Sequence, residues 1–168
     1  MRTFLVIFAV VMNLLLVDVA TKEAALKKLP ELGSYSVVSG FFDFTLVKNR
    51  GCAWGMFQGQ VWPLAAFAVF ALAIIIWKRK AIFDTSEIAL APDGVRFAAS
   101  TAECLLYAGI LGNLLDRAFR GFVVDMLDFH WGVHHFPCFN VADSYITIAA
   151  TILILLSFLP RKTNGRKN

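Results

Sequence analysis

The sequence lacks the motifs of several common classes of enzyme and binding protein. It contains no H-E-x-x-H motif of zinc proteases and no G-x-S-x-G motif of serine hydrolases. No stripe of lysine and arginine interleaved with aromatic residues is present, which argues against nucleic-acid binding. No internal repeat or low-complexity segment occurs. A chain of 168 residues without these features is long enough for one domain, 1–168, whose chemistry must come from other side chains.

Cysteine is also scarce. The three cysteines form no C-x-x-C pair, and an odd number cannot all pair within one chain. Cys104 lies inside an apolar run, where a thiol usually packs as a small hydrophobic group. A disulfide between Cys52 and Cys138 requires both to face an oxidising compartment, and their spacing gives no reason for one. We expect none.

Apolar residues, by contrast, are abundant. They make up 58% of the chain, with a mean hydropathy of +0.67, which is too apolar for a soluble domain of this size. Each of the four longest runs has about the 17–25 residues that a helix needs to cross a membrane. The runs are roughly 3–19, 61–77, 97–115 and 141–159. The sequence therefore predicts four membrane-spanning helices.

The first run could instead be a cleaved signal peptide, because Arg2 supplies a positive start. The cleavage site that best fits the small-residue pattern of signal peptides follows Ala20. Cleavage there would place Asp18 at a position that requires a small neutral side chain. We therefore expect a retained span.

The basic residues that flank these runs predict an orientation. Those next to the first, second and fourth runs are Arg2; Lys78, Arg79 and Lys80; and Arg161, Lys162, Arg166 and Lys167. The positive-inside tendency places them in the cytoplasm. We therefore expect cytoplasmic termini, including a tail at 161–168, and a cytoplasmic loop at 78–96. Segments 20–60 and 116–140 then face the other side.

A small β cradle, roughly 33–58, is predicted on that outer side. The segment SGFFDFTLVKN, residues 39–49, has the partly alternating, phenylalanine-rich pattern of a strand. NRGCAWG follows it with glycines that permit a tight turn. Before it, Lys22, Lys27 and Lys28 indicate either a short amphipathic connection or a solvated face.

Polar residues gather at the outer ends of the predicted spans. They are Asp18, Asn113, Asp116, Arg117, Asp125, Asn140 and Asp143. Such residues are functional candidates because a charge in hydrocarbon is costly. Their position at one surface favours chemistry there over a transport path. Glu103 alone lies deep in a span, where we expect a polar partner; a proton relay is the alternative.

The segment GNLLDR carries three of these residues on one helical face. Asn113, Asp116 and Arg117 follow the spacing i, i+3, i+4, and Gly109 and Gly112 would let a neighbouring helix approach closely. Asn113, one turn deeper, is expected to donate or accept hydrogen bonds at a site. For Asp116, a surface ion pair with Arg117 is the simpler interpretation.

Two aspartates lie at the same membrane surface, in and just after the short segment that joins the third and fourth apolar runs. Asp125 follows two β-branched residues in GFVVDM, which places it near the end of an extended stretch. Asn140 in FPCFNVADS can cap a helix that has Asp143 in its first turn, where compensation of the helix dipole is an alternative role. Two carboxyl groups in one site can share a proton, so that one activates water and the other polarises a peptide carbonyl. No metal is required for such hydrolysis.

HWGVHH offers a weaker metal candidate. His130 and His134 have the i, i+4 spacing of helical metal ligands, but Gly132 and the loop context argue against a helix. We expect an interfacial aromatic loop that includes His135.

Together these motifs resemble a known family. NRGCAWG, GNLLDR, GFVVD and FPCFNVADSYI, with DVATK at Asp18–Lys22, occur in the order and spacing of bacterial lipoprotein signal peptidase, also called signal peptidase II. The resemblance covers nearly the whole chain between the tails. Departures at Val19, Trp54, Ile110 and Met126 do not touch the carboxylates.

The resemblance implies an all-α membrane protein, a four-helix bundle with a small outer β cradle, in the bacterial cytoplasmic membrane. It implies an aspartic endopeptidase, without cofactor or metal, that cuts prolipoproteins before a diacylglyceryl-modified cysteine. Its partners would be these precursors, membrane lipids and globomycin-type inhibitors, and we expect a monomer. The catalytic pair maps onto Asp125 and Asp143. The supporting positions map onto Asp18, Lys22, Asn49, Gly55, Asn113, Arg117 and Asn140. Asp116, on the same helical face as Asn113 and Arg117, is added to this supporting set. The alternative function is a small transport or binding component coupled to protons or cations.

Overall fold

The computed structural model describes residues 2–29, 33–52 and 56–158. The predicted site residue Gly55, its neighbour Trp54 and the predicted tail at 161–168 lie outside the described residues. The chain is mostly helical with one small antiparallel sheet. Its elements are, in order, α1 (Arg2–Lys28), β1 (Ser34–Val38), β2 (Phe42–Asn49), α2 (Val61–Trp77), α3 (Arg79–Phe83), α4 (Ser86–Ala89), α5 (Asp93–Arg120), β3 (Val123–Trp131), β4 (His134–His135) and α6 (Val141–Ser157).

Helix α5 is the centre of the helical part and packs against α1, α2 and α6. Its contact with α6 is close because glycine leaves room for the neighbouring backbone. A Cβ atom on Gly109 would lie 2.5 Å from the carbonyl oxygen of Ala142. The close approach predicted from the GxxG spacing is therefore confirmed. It sets the polar ends of α5 and α6 side by side.

Two helices among the described residues are long and apolar enough to cross a membrane: Phe4–Lys28 within α1, and α5. Helices α2 and α6 are also apolar but have only 17 residues each, about 26 Å of helix. Large apolar side chains point outward, such as Phe67, Phe70 and Trp77 on α2 and Leu155 on α6. This surface suits lipid better than water.

Several predicted boundaries were wrong. Helix α1 continues past residue 19 to Lys28, so Lys22 lies inside a helix rather than in a connection or on a solvated face. Helix α5 begins before residue 97 and ends after residue 115. The predicted loop at 78–96 contains α3 and α4. Hydropathy underestimates α1 and α5 because their polar ends pack against other parts of the protein.

The predicted strand at 39–49 is the second half of a hairpin. Residues 39–41 form the turn, in which Gly40 adopts a φ of 76°, and β1 pairs with β2. The four strands follow the order β1-β2-β3-β4. Asp125 is the third residue of the nine-residue strand β3, not the end of a short one. The strand continues because its later residues pair with β2.

One face of the sheet packs against the last turns of α1. Leu46 of β2 and Val124 and Met126 of β3 form a buried cluster with Ala25. Side chains alternate along a strand, so Asn49 and Asp125 point to the opposite face. That face meets the ends of α5 and α6.

Candidate active site

Asp125 is buried and held by two side-chain amides. Only 2% of the surface of Asp125 is exposed. Asn49 Nδ2 donates to Oδ2 at 2.9 Å, and Asn140 Nδ2 donates to Oδ1 at 2.7 Å. Asn49 lies near the end of β2 and Asn140 directly precedes α6, so three separate segments fix this carboxyl group.

Asp143 lies in the first turn of α6 and is held at both oxygens. Asn113 Nδ2 donates to its Oδ1 at 2.7 Å. The backbone N–H of Asn140 donates to Oδ2 at 3.2 Å, while Asn140 Oδ1 accepts from the backbone N–H of Asp143 at 2.9 Å. This reciprocal pair is a capping box. The predicted cap by Asn140 is therefore confirmed, and Asp143 also has the helix-terminal role considered as its alternative.

Two asparagines join the aspartates into one network. Asn140 Nδ2 donates to Asn113 Oδ1 at 3.1 Å as well as to Asp125. Asn113 in turn donates to Asp143. Amides can orient both carboxyl groups without adding charge to the site.

Burial and charge both act on the ionisation of Asp125. Removal from water raises its pKa most, and the negative charge of Asp143 raises it further. Hydrogen bonds from Asn49 and Asn140 favour the ionised form and offset part of this increase. The pKa of Asp125 is raised from 3.8 to about 7. Near neutral pH, Asp125 can therefore either hold or release a proton.

Lys22 supplies a buried positive charge next to this network. Its Nζ lies 2.8 Å from Asp18 Oδ2 and 3.0 Å from Asp116 Oδ2, with the lysine side chain fully buried. It also donates to Asn113 Oδ1 at 3.2 Å. Asp18 Oδ1 accepts from the backbone N–H of Ala142 at 2.9 Å. This cluster ties α1 and α5 to the start of α6.

The simpler interpretation of Asp116 was wrong. It is 1% exposed and its ionic partners are Lys22 and Arg120, not a surface pair with Arg117. Its Oδ2 also accepts from the backbone N–H of Val124 at 3.0 Å. Arg120 also contacts Glu23, 2.5 Å away, and neither residue was among the predicted site residues. The i, i+4 spacing of Asp116 and Arg120 was the available signal.

Arg117 instead holds the segment that follows β2. Its guanidinium donates to the carbonyl oxygen of Gly51 at 3.1 Å and to that of Asn113 at 3.3 Å. The N–H of Gly51 donates to Asn49 Oδ1 at 2.9 Å. Arg117 therefore stabilises the same turn that orients the amide facing Asp125.

A cavity of about 530 Å³ opens beside both aspartates. It is polar at the end formed by Asn113, Arg117, Asp125 and Asp143. Along α6 the lining includes Ile146 and Ile148, together with Ser144 and Thr147, whose hydroxyl groups donate to backbone carbonyl oxygens of the same helix end. A substrate with an apolar part could lie along α6 with a polar bond next to the two carboxyl groups. The structure thus brings together nine of the ten predicted site residues, and the tenth is Gly55.

The remaining candidates from the sequence were the histidine segment, Glu103 and the cysteines. The histidine segment is a hairpin of β3 and β4, with His130 paired to His135, rather than an interfacial loop. Glu103 has the predicted polar partner, Arg79, whose Nε lies 2.5 Å from Glu103 Oε1. Cys52, Cys104 and Cys138 are all thiols.

Comparison with known proteins gives a consistent answer. The model of the Signal peptidase (SPase) II family matches residues 10–159. The chain belongs to the signal peptidase II family. A lipoprotein signal peptidase of Shewanella loihica is 41% identical over 131 residues, 74% of this chain and 71% of the relative. One from Clostridium acetobutylicum is 37% identical over 143 residues, 84% of this chain and 86% of the relative.

Two solved structures of bacterial membrane enzymes are similar to this chain over the whole fold. A bacterial membrane enzyme determined by the in meso method at 2.3 Å superposes with a TM-score of 0.74 and 27% identity, covering 97% of this chain and 93% of the other. A second, at 1.9 Å, gives a TM-score of 0.70 and 28% identity, with 94% of each chain covered. Membership of the signal peptidase II family makes the chain a hydrolase, and specifically a protease.

Proposed function

We propose that this chain is an aspartic endopeptidase that removes signal peptides from prolipoproteins by cutting before a diacylglyceryl-modified cysteine. One observation carries the catalytic type: Asp125 and Asp143 line the same cavity and are joined by hydrogen-bonded amides. Family membership supports the precursor class, because the curated relatives are lipoprotein signal peptidases.

In the proposed reaction Asp125 is the acid and Asp143 the base. The raised pKa of Asp125 favours its protonated form below pH 7, so it can polarise the carbonyl of the bond to be cut. Ionised Asp143 takes a proton from the attacking water. As water attacks, Asp125 gives its proton to the carbonyl oxygen, which forms a tetrahedral gem-diol intermediate. When the C–N bond breaks, Asp143 passes the proton that it took from water to the amine of the modified cysteine. Asp125 regains a proton from a hydroxyl group of the intermediate as the new carboxylic acid forms, so both carboxyl groups return to their starting states.

The other polar residues position this pair. Asn49, Asn113 and Asn140 orient the carboxyl groups, and Arg117 fixes the turn at Gly51. The supporting charges Asp18, Lys22 and Asp116 hold α1, α5 and α6 in register. By resemblance, Gly55 belongs to the same supporting set.

We propose that α1, α2, α5 and α6 all cross the bacterial cytoplasmic membrane as one four-helix domain. The exposed aromatic and aliphatic side chains on α2 and α6 support this arrangement. Lys78 and Arg79 after α2 support a cytoplasmic position for that helix end, by the positive-inside tendency, and we propose that both chain termini lie on the same side. The sheet then forms the outer cradle, and the aspartates lie at the outer surface.

This arrangement explains the substrate chemistry. A diacylglyceryl group stays in the bilayer, so the bond next to it must be cut near the headgroups. The apolar part of the cavity along α6 can accept the lipidated segment from the surrounding lipids. Globomycin-type cyclic peptides would compete for the same space, and a monomer contains the complete site.

The function is tested by incubating purified protein in detergent with a diacylated precursor peptide, a chelator and no ion gradient. We expect one cut, located by mass immediately before the modified cysteine, and no cut in the peptide that lacks diacylglyceryl. Failure to cut either peptide, or cleavage that is abolished by the chelator, would contradict the proposal.

A further inference from the structure

The cavity beside the aspartates continues onto the sheet. A second cavity of about 460 Å³ is lined by Gln58, Asp128 and His135. The two cavities share the wall residues Asn49, Cys52, Asp125, Phe136, Pro137 and Cys138. They are therefore one cleft with two arms that meet at Asp125. We name them the membrane arm, along α6, and the sheet arm, lined by Gln58, Asp128 and His135.

A bulge places Asp128 in the same cleft as Asp125. Residues three apart in a regular strand point to opposite faces. Here the pairing of β2 with β3 shifts between Phe44 and Val47. Across the shift, the N–H groups of Met126 and Leu127 both donate to the carbonyl oxygen of Phe139, at 3.0 and 2.9 Å. Such irregularities re-aim side chains next to active sites.

The sheet arm is bordered by acidic side chains. Asp128 contacts His135 Nδ1 at 2.9 Å and accepts from Thr45 Oγ1 at 3.3 Å. Asp43, paired with Asp128 across the strands, lies 3.5 Å from His130 Nε2. A hydrogen bond from Ser36 lowers the pKa of Asp43 most, and one from His130 lowers it further, so this carboxyl group is ionised at neutral pH.

The two arms differ in their charged side chains. Asp128 and its cross-strand neighbour Asp43 bring two carboxyl groups to the sheet side. Lys48 also lines the sheet arm, but its Nζ lies 5.9 Å from the centre of the Phe122 ring, which packs against the buried cluster on the opposite face of the sheet. The membrane arm contains the guanidinium of Arg117 and the apolar side chains of α6. A polypeptide cut at Asp125 must extend in both directions from that point, and its two halves would meet different surroundings.

We propose that the sheet arm is the subsite for the polypeptide that follows the modified cysteine, and that Asp128, assisted by Asp43, makes it favour basic side chains there. This inference rests on the proposed function. Asp128 is three residues from Asp125, about 10 Å along an extended strand. The preference should therefore be strongest about three residues beyond the cut bond.

The test uses three diacylated peptides that differ only at the third residue after the cut: lysine, serine or glutamate. Cleavage by purified protein is measured as kcat/KM in a neutral detergent. We expect the lysine peptide to exceed the glutamate peptide by about 3- to 10-fold at low salt. The ratio should fall towards one at about 1 M salt, because salt screens partly exposed charges.

The variant Asp128→Asn should reduce the lysine-to-glutamate ratio to less than half of the wild-type value. Asp93→Asn is the matched control, since this acidic residue is 92% exposed in its side chain and lies at the opposite end of α5 from the site. It should keep the wild-type ratio. If Asp128→Asn does not fold, Asp43→Asn and the salt dependence of the wild type provide the same comparison.

The outcomes separate the inference from the proposed function. Cleavage of the serine peptide with equal rates for lysine and glutamate would overturn the subsite and leave the peptidase intact. A lysine preference that persists unchanged in Asp128→Asn and in high salt would also overturn it. No cleavage of any peptide would contradict the proposed function itself.

Discussion

The side chain of Asn140 contacts Asp125 at 2.7 Å and, through its oxygen, the backbone N–H of Asp143 at 2.9 Å. One residue thus orients one carboxyl group and caps the helix that carries the other. These two roles can be separated, because serine is a good helix cap but its shorter side chain lacks the amide that reaches Asp125.

Replacing Asn140 should therefore distinguish stability from catalysis. Asn140→Ser should keep thermal stability within about 0.5 kcal/mol of the wild type while lowering kcat at least tenfold, because Asp125 loses one of its two amide donors. Asn140→Ala should lower kcat similarly and also cost about 1 kcal/mol of stability. Detergent unfolding and peptide cleavage measure the two quantities. Full activity of Asn140→Ser would contradict the positioning role.

The raised pKa of Asp125 predicts the pH dependence of cleavage. The reaction requires a protonated Asp125, whose pKa is about 7. The value of kcat/KM should therefore decline above about pH 7, with the slope of a single proton. A pH series with one peptide checks this. A rate that stays constant up to pH 9 would exclude Asp125 as the acid.

The same pKa has a consequence for stability. Asp125 titrates near 3.8 in the unfolded chain and near 7 in the folded protein. Its contribution to stability is therefore complete below about pH 4, decreases as the pH rises to about 7 and stays lost above. The asparagine in Asp125→Asn cannot ionise. The free energy of unfolding of this variant, relative to that of the wild type, should therefore increase by about 2–4 kcal/mol between about pH 4 and about pH 7. If the difference in the free energy of unfolding between Asp125→Asn and the wild type does not change with pH, the raised pKa of Asp125 is contradicted.

Lys22 is predicted to be essential for folding. Lys22→Met would leave Asp18 and Asp116 buried without the charge between them, at a cost of about 3–5 kcal/mol. Lys27→Met is the matched control, because its side chain is 75% exposed. It should change stability by less than about 1 kcal/mol. Equal unfolding temperatures for the two variants would show that the buried cluster contributes nothing.

The variant Glu103→Gln distinguishes a peptidase from a transport component. Its ion pair with Arg79 is partly exposed on the arginine side, so Glu103→Gln should cost about 1 kcal/mol of stability and leave cleavage unchanged within twofold. Cation or proton flux in vesicles that is lost in Glu103→Gln would favour the transport alternative instead.

Short patterns predicted much of the fold and site. The apolar runs gave the bounds of α2 and the start of α6, and the glycine spacing gave the close contact at Gly109. The cap at Asn140 followed from its position before α6. These features are local or depend on one neighbour, which is why a single sequence reveals them.

Features that depend on distant partners were missed. Asp116 looked like a surface residue because its partner Lys22 lies far away in the chain. Strand β1 was not predicted, and the turn at 39–41 was included in the predicted strand because Phe41 continues the phenylalanine pattern of β2. The bulge that brings Asp128 beside Asp125 arises from pairing with Phe139 and leaves no sequence signature.

The most direct test of the account compares Asp125→Asn and Asp143→Asn with the wild type on one diacylated precursor, after each variant has been shown to be folded and inserted. Both should reduce single-turnover cleavage by at least about 10³-fold, since each removes one half of the acid–base pair. Cleavage at the wild-type rate by either variant would contradict the mechanism.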